Sequence, residues 1–131
     1  MVSVRILGTA DIAALDNVAP NVFDGAVRRE LAAEFLADPR HHLAVAVSEA
    51  GQVVGMASAV HYVHPDKLPQ LFVNEVSVSP AFHRQGLGKQ LMAALLARGR
   101  ELGSGWPPSR TTWRLRSSTA RRVVCAMRCR S

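Results

Sequence analysis

The sequence predicts an α/β (α+β) domain in which a mixed, mainly antiparallel sheet is flanked by helices, in the order β-α-α-β-β-β-α. Two apolar strand segments, residues 42–49 and 52–63, are joined by the short turn Glu49-Ala50-Gly51, which is typical of a hairpin. An alternating strand at residues 72–78 is followed by a glycine-containing corner and then by an amphipathic helix. At 131 residues, 48% of them hydrophobic, the chain can form one domain with a core.

Periodicity and capping predict the elements of the first third of the chain. Alternating apolar residues indicate a strand at residues 2–7. Thr9 can cap a helix over residues 10–18, and Pro20 would end it. Apolar residues at helical spacing predict a second helix over residues 25–37.

The net charge of +6 comes from the end of the chain. Residues 1–103 hold nine Lys or Arg residues and all ten acidic residues, whereas residues 104–131 hold seven Arg residues and no acid. The predicted domain is therefore close to neutral, and nucleic acid is not expected as its partner. No apolar run approaches the roughly 20 residues of a membrane span, and the N-terminus lacks a signal-peptide pattern. We expect a cytoplasmic location and no membrane partner.

The corner Gln85-Gly86-Leu87-Gly88, between a strand and a helix, has the layout of a phosphate site. Glycines allow the backbone to approach a ligand closely. The unpaired N–H groups of the first helical turn, together with the helix dipole, favour an anion at that point. A plain strand-turn-helix connection is the other interpretation of the two glycines.

The segment around this corner resembles the acetyl-CoA-binding segment of the GNAT N-acetyltransferase superfamily. The resemblance rests on the strand Asn74-Glu75-Val76-Ser77-Val78, then Ser-Pro, an aromatic and a basic residue, and the run Gln85-Gly86-Leu87-Gly88-Lys89. The family pattern is Arg or Gln, two residues, Gly, one residue, and Gly or Ala. Gly86 and Gly88 match it, whereas His83 stands where the family has Arg or Gln.

This resemblance implies that residues 2–103 form the N-terminal portion of a GNAT fold that uses acetyl-CoA as cosubstrate and needs no metal. In the family the pantetheine arm hydrogen-bonds the central strand, and the pyrophosphate sits on the corner. The positions implied for acetyl-CoA are Val76, Val78, His83, Arg84, Gln85, Gly86, Leu87, Gly88 and Lys89.

Glu75 is the candidate general base that would take a proton from the ammonium group of the acceptor. Several members of the family carry an acidic residue at this position. By alternation we expect Glu75 on the face opposite Val76 and Val78. The same alternation predicts that Val73 and Ser77 share the face of Glu75. An edge carboxylate in water or in a salt bridge is the alternative.

His61 and His64 end the third predicted strand near the expected cleft, where either could relay a proton or line the acceptor site. The alternative is that they are half-exposed strand ends. Three residues apart on a strand, they would lie on opposite faces and would not bind a metal together. His41 and His42 open a strand and are expected to have no chemical role.

Residues 104–131 depart from the family pattern, which continues with a splayed strand and a helix carrying Asn, two residues, Ala, two residues, Leu or Phe, Tyr, three residues and Gly. Its Tyr is the usual general acid. The segment lacks strand periodicity and helix caps, so the usual C-terminal strands are predicted to be missing. When each codon is read from its last base, residues 112–123 can encode the missing pattern with every spacing kept. We therefore interpret residues 104–131 as an atypical, frameshifted or disordered tail.

The expected activity is acetyl transfer from acetyl-CoA to a primary amine of a small molecule, impaired if the tail is not native. A weaker resemblance of residues 23–76 to the aminoglycoside 3-N-acetyltransferase subgroup suggests an aminoglycoside acceptor. A polyamine, an amino acid or a protein N-terminus stays open, as does a homodimer. The alternatives are a noncatalytic domain whose basic tail binds nucleic acid, and an inert truncated product.

Overall fold

The computed structural model describes residues 1–66, 70–101 and 125–128. These residues form one five-stranded sheet with the strand order β1-β2-β3-β4-β5, in which all neighbouring strands are antiparallel. An isolated parallel bridge joins Val18 to Val53. The elements in chain order are β1 (Ser3–Ile6), a 3₁₀ helix (Thr9–Asp16), α1 (Arg29–Ala37), β2 (His41–Val47), β3 (Val53–Tyr62), β4 (Gln70–Val78), a 3₁₀ turn (Pro80–Phe82), α2 (Leu87–Glu101) and β5 (Cys125–Arg128).

The predicted order of strands and helices is confirmed, with two differences in the first third. The first helix is 3₁₀ rather than α, its N-cap residue is Gly8, and Asp11 Oδ2 in its first turn accepts a hydrogen bond from Gly8 N at 2.7 Å. The predicted cap at Thr9 is therefore wrong. Backbone bonds between Val53 and both Asn17 and Ala19 hold the chain in an extended form directly after this helix.

The second helix is shorter than predicted because its N-terminal side is extended. Arg28 has φ −96° and ψ 123°, so α1 begins at Arg29 and not at Gly25. Glycine disfavours helix by roughly 1 kcal/mol relative to alanine, which is consistent with a later start. The helix packs on β2 and on the 3₁₀ helix. The prediction erred because an apolar residue at helical spacing, Val27, packs against the core from a loop.

A further strand of four residues, β5, lies next to β4 at the edge of the sheet. It pairs antiparallel with the first half of β4, from Gln70 opposite Arg128 to Val73 opposite Cys125. The pairing shows that residues without alternating hydrophobicity can still extend a sheet through backbone hydrogen bonds. The rest of the predicted tail, including residues 112–123, lies outside the described residues.

Helix α2 covers one face of the sheet, which we call the α2 face. Leu91 and Leu95 on the helix are fully buried, as their spacing predicts. The helix approaches the sheet so closely at Gly55 that a Cβ atom there would lie 3.3 Å from Leu91 Cδ1. Within the described part of the chain, no helix is long and apolar enough to cross a membrane.

A β-bulge at Asn74 sets which residues of β4 lie on each face. Ser58 is opposite Glu75, but the next residue of β3, Ala59, is opposite Val73, so Asn74 has no cross-strand partner. An extra residue of this kind shifts the alternation of all residues beyond it. Val73 and Val76 therefore lie on the same face although they are three residues apart.

Candidate functional site

The corner between β4 and α2 has the backbone geometry that its two glycines suggest. Gly86 has φ +73°, a left-handed conformation that glycine adopts without steric cost. Its carbonyl oxygen accepts the hydrogen bond of Gln90 N at 3.2 Å, so α2 begins directly after it. The N–H groups of the first turn have no carbonyl one turn back. They are available to an anion at the start of a helix of 15 residues.

Open space surrounds this corner. A Cβ atom added to Gly88 would meet no described atom within 4 Å. No packing within the described chain therefore requires glycine at position 88, and the space suits a ligand that approaches the backbone. The side chains of Arg84 and Lys89 are exposed on either side of the glycines. Arg84 has φ +65°, a sparsely populated conformation for a residue with a side chain.

The outer edge of β4 leads towards the same corner. Ser79 N donates to Val54 O on β3 at 2.7 Å. Since a trans peptide directs the neighbouring carbonyl the opposite way, Val78 O points away from β3. Val76, two residues earlier, has the same orientation. Pairing with β5 ends at Val73 in the described part of the chain, so these two residues lie beyond the paired region.

His83 links the corner to this edge. Its Nε2 lies 2.8 Å from the Val78 carbonyl oxygen, and because a carbonyl only accepts, Nε2 is the donor. The side chain that departs from the family pattern thus contacts the strand atom that the resemblance implies for the pantetheine arm.

Glu75 is half-buried and lies on the face opposite Val76 and Val78, as predicted. We call this the Glu75 face. Ser77 shares it, but Val73 does not, because the bulge at Asn74 places Val73 on the α2 face. The expectation for Val73 was wrong because simple alternation does not allow for an extra residue.

His61 lies away from Glu75. It alternates with Ala59 and therefore faces α2, where its Nδ1 is 2.7 Å from Nε2 of the buried His42. Burial lowers the pKa of His42 to about 4, and the positive charges of His61 and Arg98 add to the effect. Burial, followed by the charge of Arg98, also lowers the pKa of His61. The pKa of each ring therefore lies below its ordinary value in the folded protein.

His64 lies on the other side, beside an aromatic cluster. Its ring centroid is 4.7 Å from that of Tyr62, which in turn contacts Phe72 edge-to-face at 5.6 Å. Tyr62 alternates with Ser58, the partner of Glu75, so the cluster belongs to the Glu75 face. Sequence reasoning did not single out Tyr62 or Phe72, and it expected no chemical role for His42. The available signal was aromatic or His residues on two adjacent predicted strands.

Metal chemistry has no obvious site among these residues. Within residues 1–66 and 70–101, no group of three or more His, Cys, Asp or Glu residues could hold a metal ion. His61 and His64 lie on opposite sides of the sheet, so the structure does not bring them together. Residues 125–128 place Cys125 on β5, and Cys129 lies outside the described residues.

Several solved structures share this fold. A ribosomal-protein-alanine N-acetyltransferase from Brucella melitensis biovar Abortus 2308 is 20% identical, with a TM-score of 0.60 over 77% of this chain and 73% of that chain. An aminoglycoside acetyltransferase from an uncultured soil metagenomic sample, in complex with sisomicin, is 18% identical, with a TM-score of 0.63 over 78% and 72%. These identities establish similarity of fold.

A third structure contains a ligand that includes CoA. It is AAC(6')-Iy in complex with the bisubstrate analogue CoA-S-monomethyl-acetylneamine, 23% identical with a TM-score of 0.62 over 79% of this chain and 74% of that chain. No curated protein matches the sequence. Residues 10–105, most of the chain, match the model of the acetyltransferase (GNAT) family. The α+β sheet, the glycine corner and this match together establish that the chain belongs to the GNAT acetyltransferase family.

Proposed function

We propose that this protein is an acetyl-CoA-dependent N-acetyltransferase that transfers acetyl to a primary amine of a small molecule, with aminoglycosides among the candidate acceptors. The observation that carries the proposal is the corner Gly86–Gly88. It opens a 15-residue helix next to outward-facing carbonyls of β4. Aminoglycoside acetyltransferases among the similar structures support the acceptor class.

The residues present fit acetyl-CoA. The N–H groups of Leu87, Gly88 and Lys89 would bind the pyrophosphate, with the charges of Arg84 and Lys89 nearby. Gln85 and Gly86 shape the turn, and Gly86 supplies the left-handed conformation. The outer edge at Val76 and Val78 would bind the pantetheine arm. The Val78 carbonyl has two lone pairs, so it can accept from His83 and from a ligand amide.

Glu75 is the proposed general base on the face where the acceptor would bind. Its carboxylate would take a proton from the substrate ammonium and leave a neutral amine. The amine nitrogen then forms a bond with the thioester carbonyl carbon and the carbon–sulfur bond breaks. The nitrogen loses a second proton and the departing thiolate takes up one, so the products are the amide, CoA thiol and protonated Glu75. His64, near Tyr62, is closer to this face than His61, whose hydrogen bond to His42 lies on the α2 face.

We expect the C-terminal residues of this chain to lower its activity. We propose that residues from about 104 onward are read out of frame, so that the Tyr of the family pattern is replaced and the general acid is lost. The absence of acidic residues and the seven Arg residues in this segment support the idea. We expect weak acetyl-CoA binding and little turnover in this chain.

The test compares this chain with a frame-restored version. Acetyl-CoA binding is measured by calorimetric titration, and thiol release by a colorimetric assay with aminoglycoside and polyamine acceptors. We expect both chains to bind acetyl-CoA and the restored chain to release thiol much faster. Equal, strong activity in both would refute the frameshift. Failure of both to bind acetyl-CoA would refute the proposed function.

The charge of the tail favours a second candidate, a noncatalytic domain that binds nucleic acid. Binding to an arbitrary DNA duplex would then weaken steeply with salt and disappear on deletion of residues 104–131. Acetyl-CoA binding together with no duplex binding would exclude this candidate.

A further inference from the structure

We propose that Tyr62 and Phe72, supported by His64, form an aromatic platform that binds a second ammonium group of an acceptor whose reacting amine is at Glu75. This inference rests on the proposed function, because it identifies the acceptor as a small molecule with at least two amines. The platform and Glu75 are brought onto one face by the bulge at Asn74.

The bulge is the first step of the argument. Phe72 and Glu75 are three residues apart, so in a regular strand they would point to opposite faces. The unpaired Asn74 shifts the alternation, and both side chains then lie on the Glu75 face. Bulges occur where a strand must redirect a side chain, often next to an active site.

The exposed ring of Tyr62 is the second step. Tyr62 is 53% exposed, although β3 is otherwise largely buried, and its ring contacts both Phe72 and His64. About half of the Tyr62 surface thus stays exposed to solvent although two other rings contact it. Ordered aromatic faces of this kind bind ammonium groups within about 6 Å of the ring centroid.

The polar groups along the face also suit a cation. Ser77 Oγ donates to Asn21 O at 3.1 Å, which brings the loop before α1 to the far end of the same face. Glu75 lies between this contact and Phe72. Among the described residues of β3 and β4 on the Glu75 face, there is no Lys or Arg. A positively charged acceptor would meet acceptor oxygens and aromatic rings there.

The distance between the aromatic platform and Glu75 indicates the class of acceptor. Glu75 is opposite Ser58, Phe72 is opposite Val60, and Tyr62 is opposite Gln70. At about 3.4 Å per strand residue, the backbone positions of the platform therefore lie roughly 7 Å (Phe72) to roughly 14 Å (Tyr62) from that of Glu75. A linear triamine or an aminoglycoside can place two ammonium groups at such a distance. A monoamine cannot contact both groups at once.

The single tyrosine provides the probe. Because Tyr62 is the one tyrosine of the chain, ring-¹³C tyrosine labelling gives NMR signals that need no assignment. The labelled full chain is titrated with spermidine, with neamine and with propylamine. We expect saturable shifts with the first two amines and none with propylamine at the same concentration. Shifts with one polyamine alone would identify whether the linear or the ring-based acceptor is preferred.

Substitutions distinguish binding of the amine at this site from nonspecific attraction of cations to the protein. Glu75→Gln should weaken spermidine binding about tenfold, the effect of losing one ion pair in a partly desolvated site. Phe72→Leu should reduce the shift of Tyr62 while the fold is kept. The matched control is Leu31→Ala on α1, because Leu31 is also 53% exposed, and it should change nothing.

Equal shifts with propylamine, or no shift with either polyamine, would overturn the inference. Acetyl-CoA titration of the same sample distinguishes the two proposals. Acetyl-CoA binding without an amine response refutes the platform and leaves the proposed function standing. An amine response without acetyl-CoA binding supports the amine site and refutes the proposed function.

Discussion

The two faces of β4 differ although they belong to the same nine residues. On the α2 face, Val73 is buried and Val76 and Val78 pack against the core under the helix. On the Glu75 face, a half-buried carboxylate lies in line with aromatic rings, one of which is open to solvent. The extra residue of the bulge, Asn74, determines which residues of β4 lie on each face. One bulge thus changes which side chains of a strand share a face.

The largest expected effect is a loss of turnover when the proposed general base on the Glu75 face is replaced. In the frame-restored chain, Glu75→Gln should lower the turnover number by roughly 10²- to 10⁴-fold, the usual contribution of a general base. Acetyl-CoA binding should persist, because Glu75 points away from Val76 and Val78. Glu34→Gln, an exposed carboxylate on α1, is the control. Turnover within twofold of the unmodified enzyme would show that another group takes the proton.

Substitution of a buried residue on the α2 face should lower the free energy of unfolding. Leu91→Ala removes a fully buried side chain between α2 and the sheet and should cost about 2–5 kcal/mol of unfolding free energy. Leu31→Ala removes the same atoms from an exposed position and should cost less than about 0.5 kcal/mol. Urea denaturation of both variants measures the difference. Similar losses in the two would mean that α2 does not hold this face together.

The His42–His61 pair makes the α2 face sensitive to acid. The pKa of His42 is about 4 in the folded protein, below its ordinary value of 6.5, because of burial first and then the charges of His61, Arg98 and His41. The unfolded chain therefore binds more protons between these pH values, and stability falls as pH drops from about 6.5 to 4. The shift corresponds to a loss of up to about 3 kcal/mol.

Replacing the buried ring tests this pH dependence. His42→Leu should flatten the dependence of unfolding free energy on pH between 6.5 and 4, measured by urea denaturation at several pH values. His64→Leu, on the opposite side of the sheet, should keep it. A His42→Leu variant with the slope of the unmodified protein would place the acid sensitivity elsewhere.

The sequence was sufficient for features that depend on local periodicity. Two apolar segments and the Gly51 turn predicted the hairpin, and the spacing of Leu91 and Leu95 predicted the buried stripe of α2. The corner was recognisable because glycines before a helix allow the backbone to approach a ligand closely. These signals lie within a few residues of one another.

The features that were missed depend on pairing between distant residues. The bulge at Asn74 is visible only from the register of β4 against β3. His42 and His61 are 19 residues apart and meet only because β2 and β3 align. Strand β5 has no alternating pattern and forms through its backbone pairing with β4. Composition and periodicity contain no information on which residues of two strands are paired.

The most direct test of the account is acetyl-CoA binding at the corner. Calorimetric titration should detect binding in this chain, and Gly88→Glu should weaken it about tenfold or more, because a carboxylate would occupy the open space and repel the pyrophosphate. An acidic residue in the first helical turn stabilises the helix, so loss of binding would not reflect unfolding. Ala93→Glu, exposed further along α2, should leave the affinity nearly unchanged. Unchanged affinity in Gly88→Glu would contradict the account.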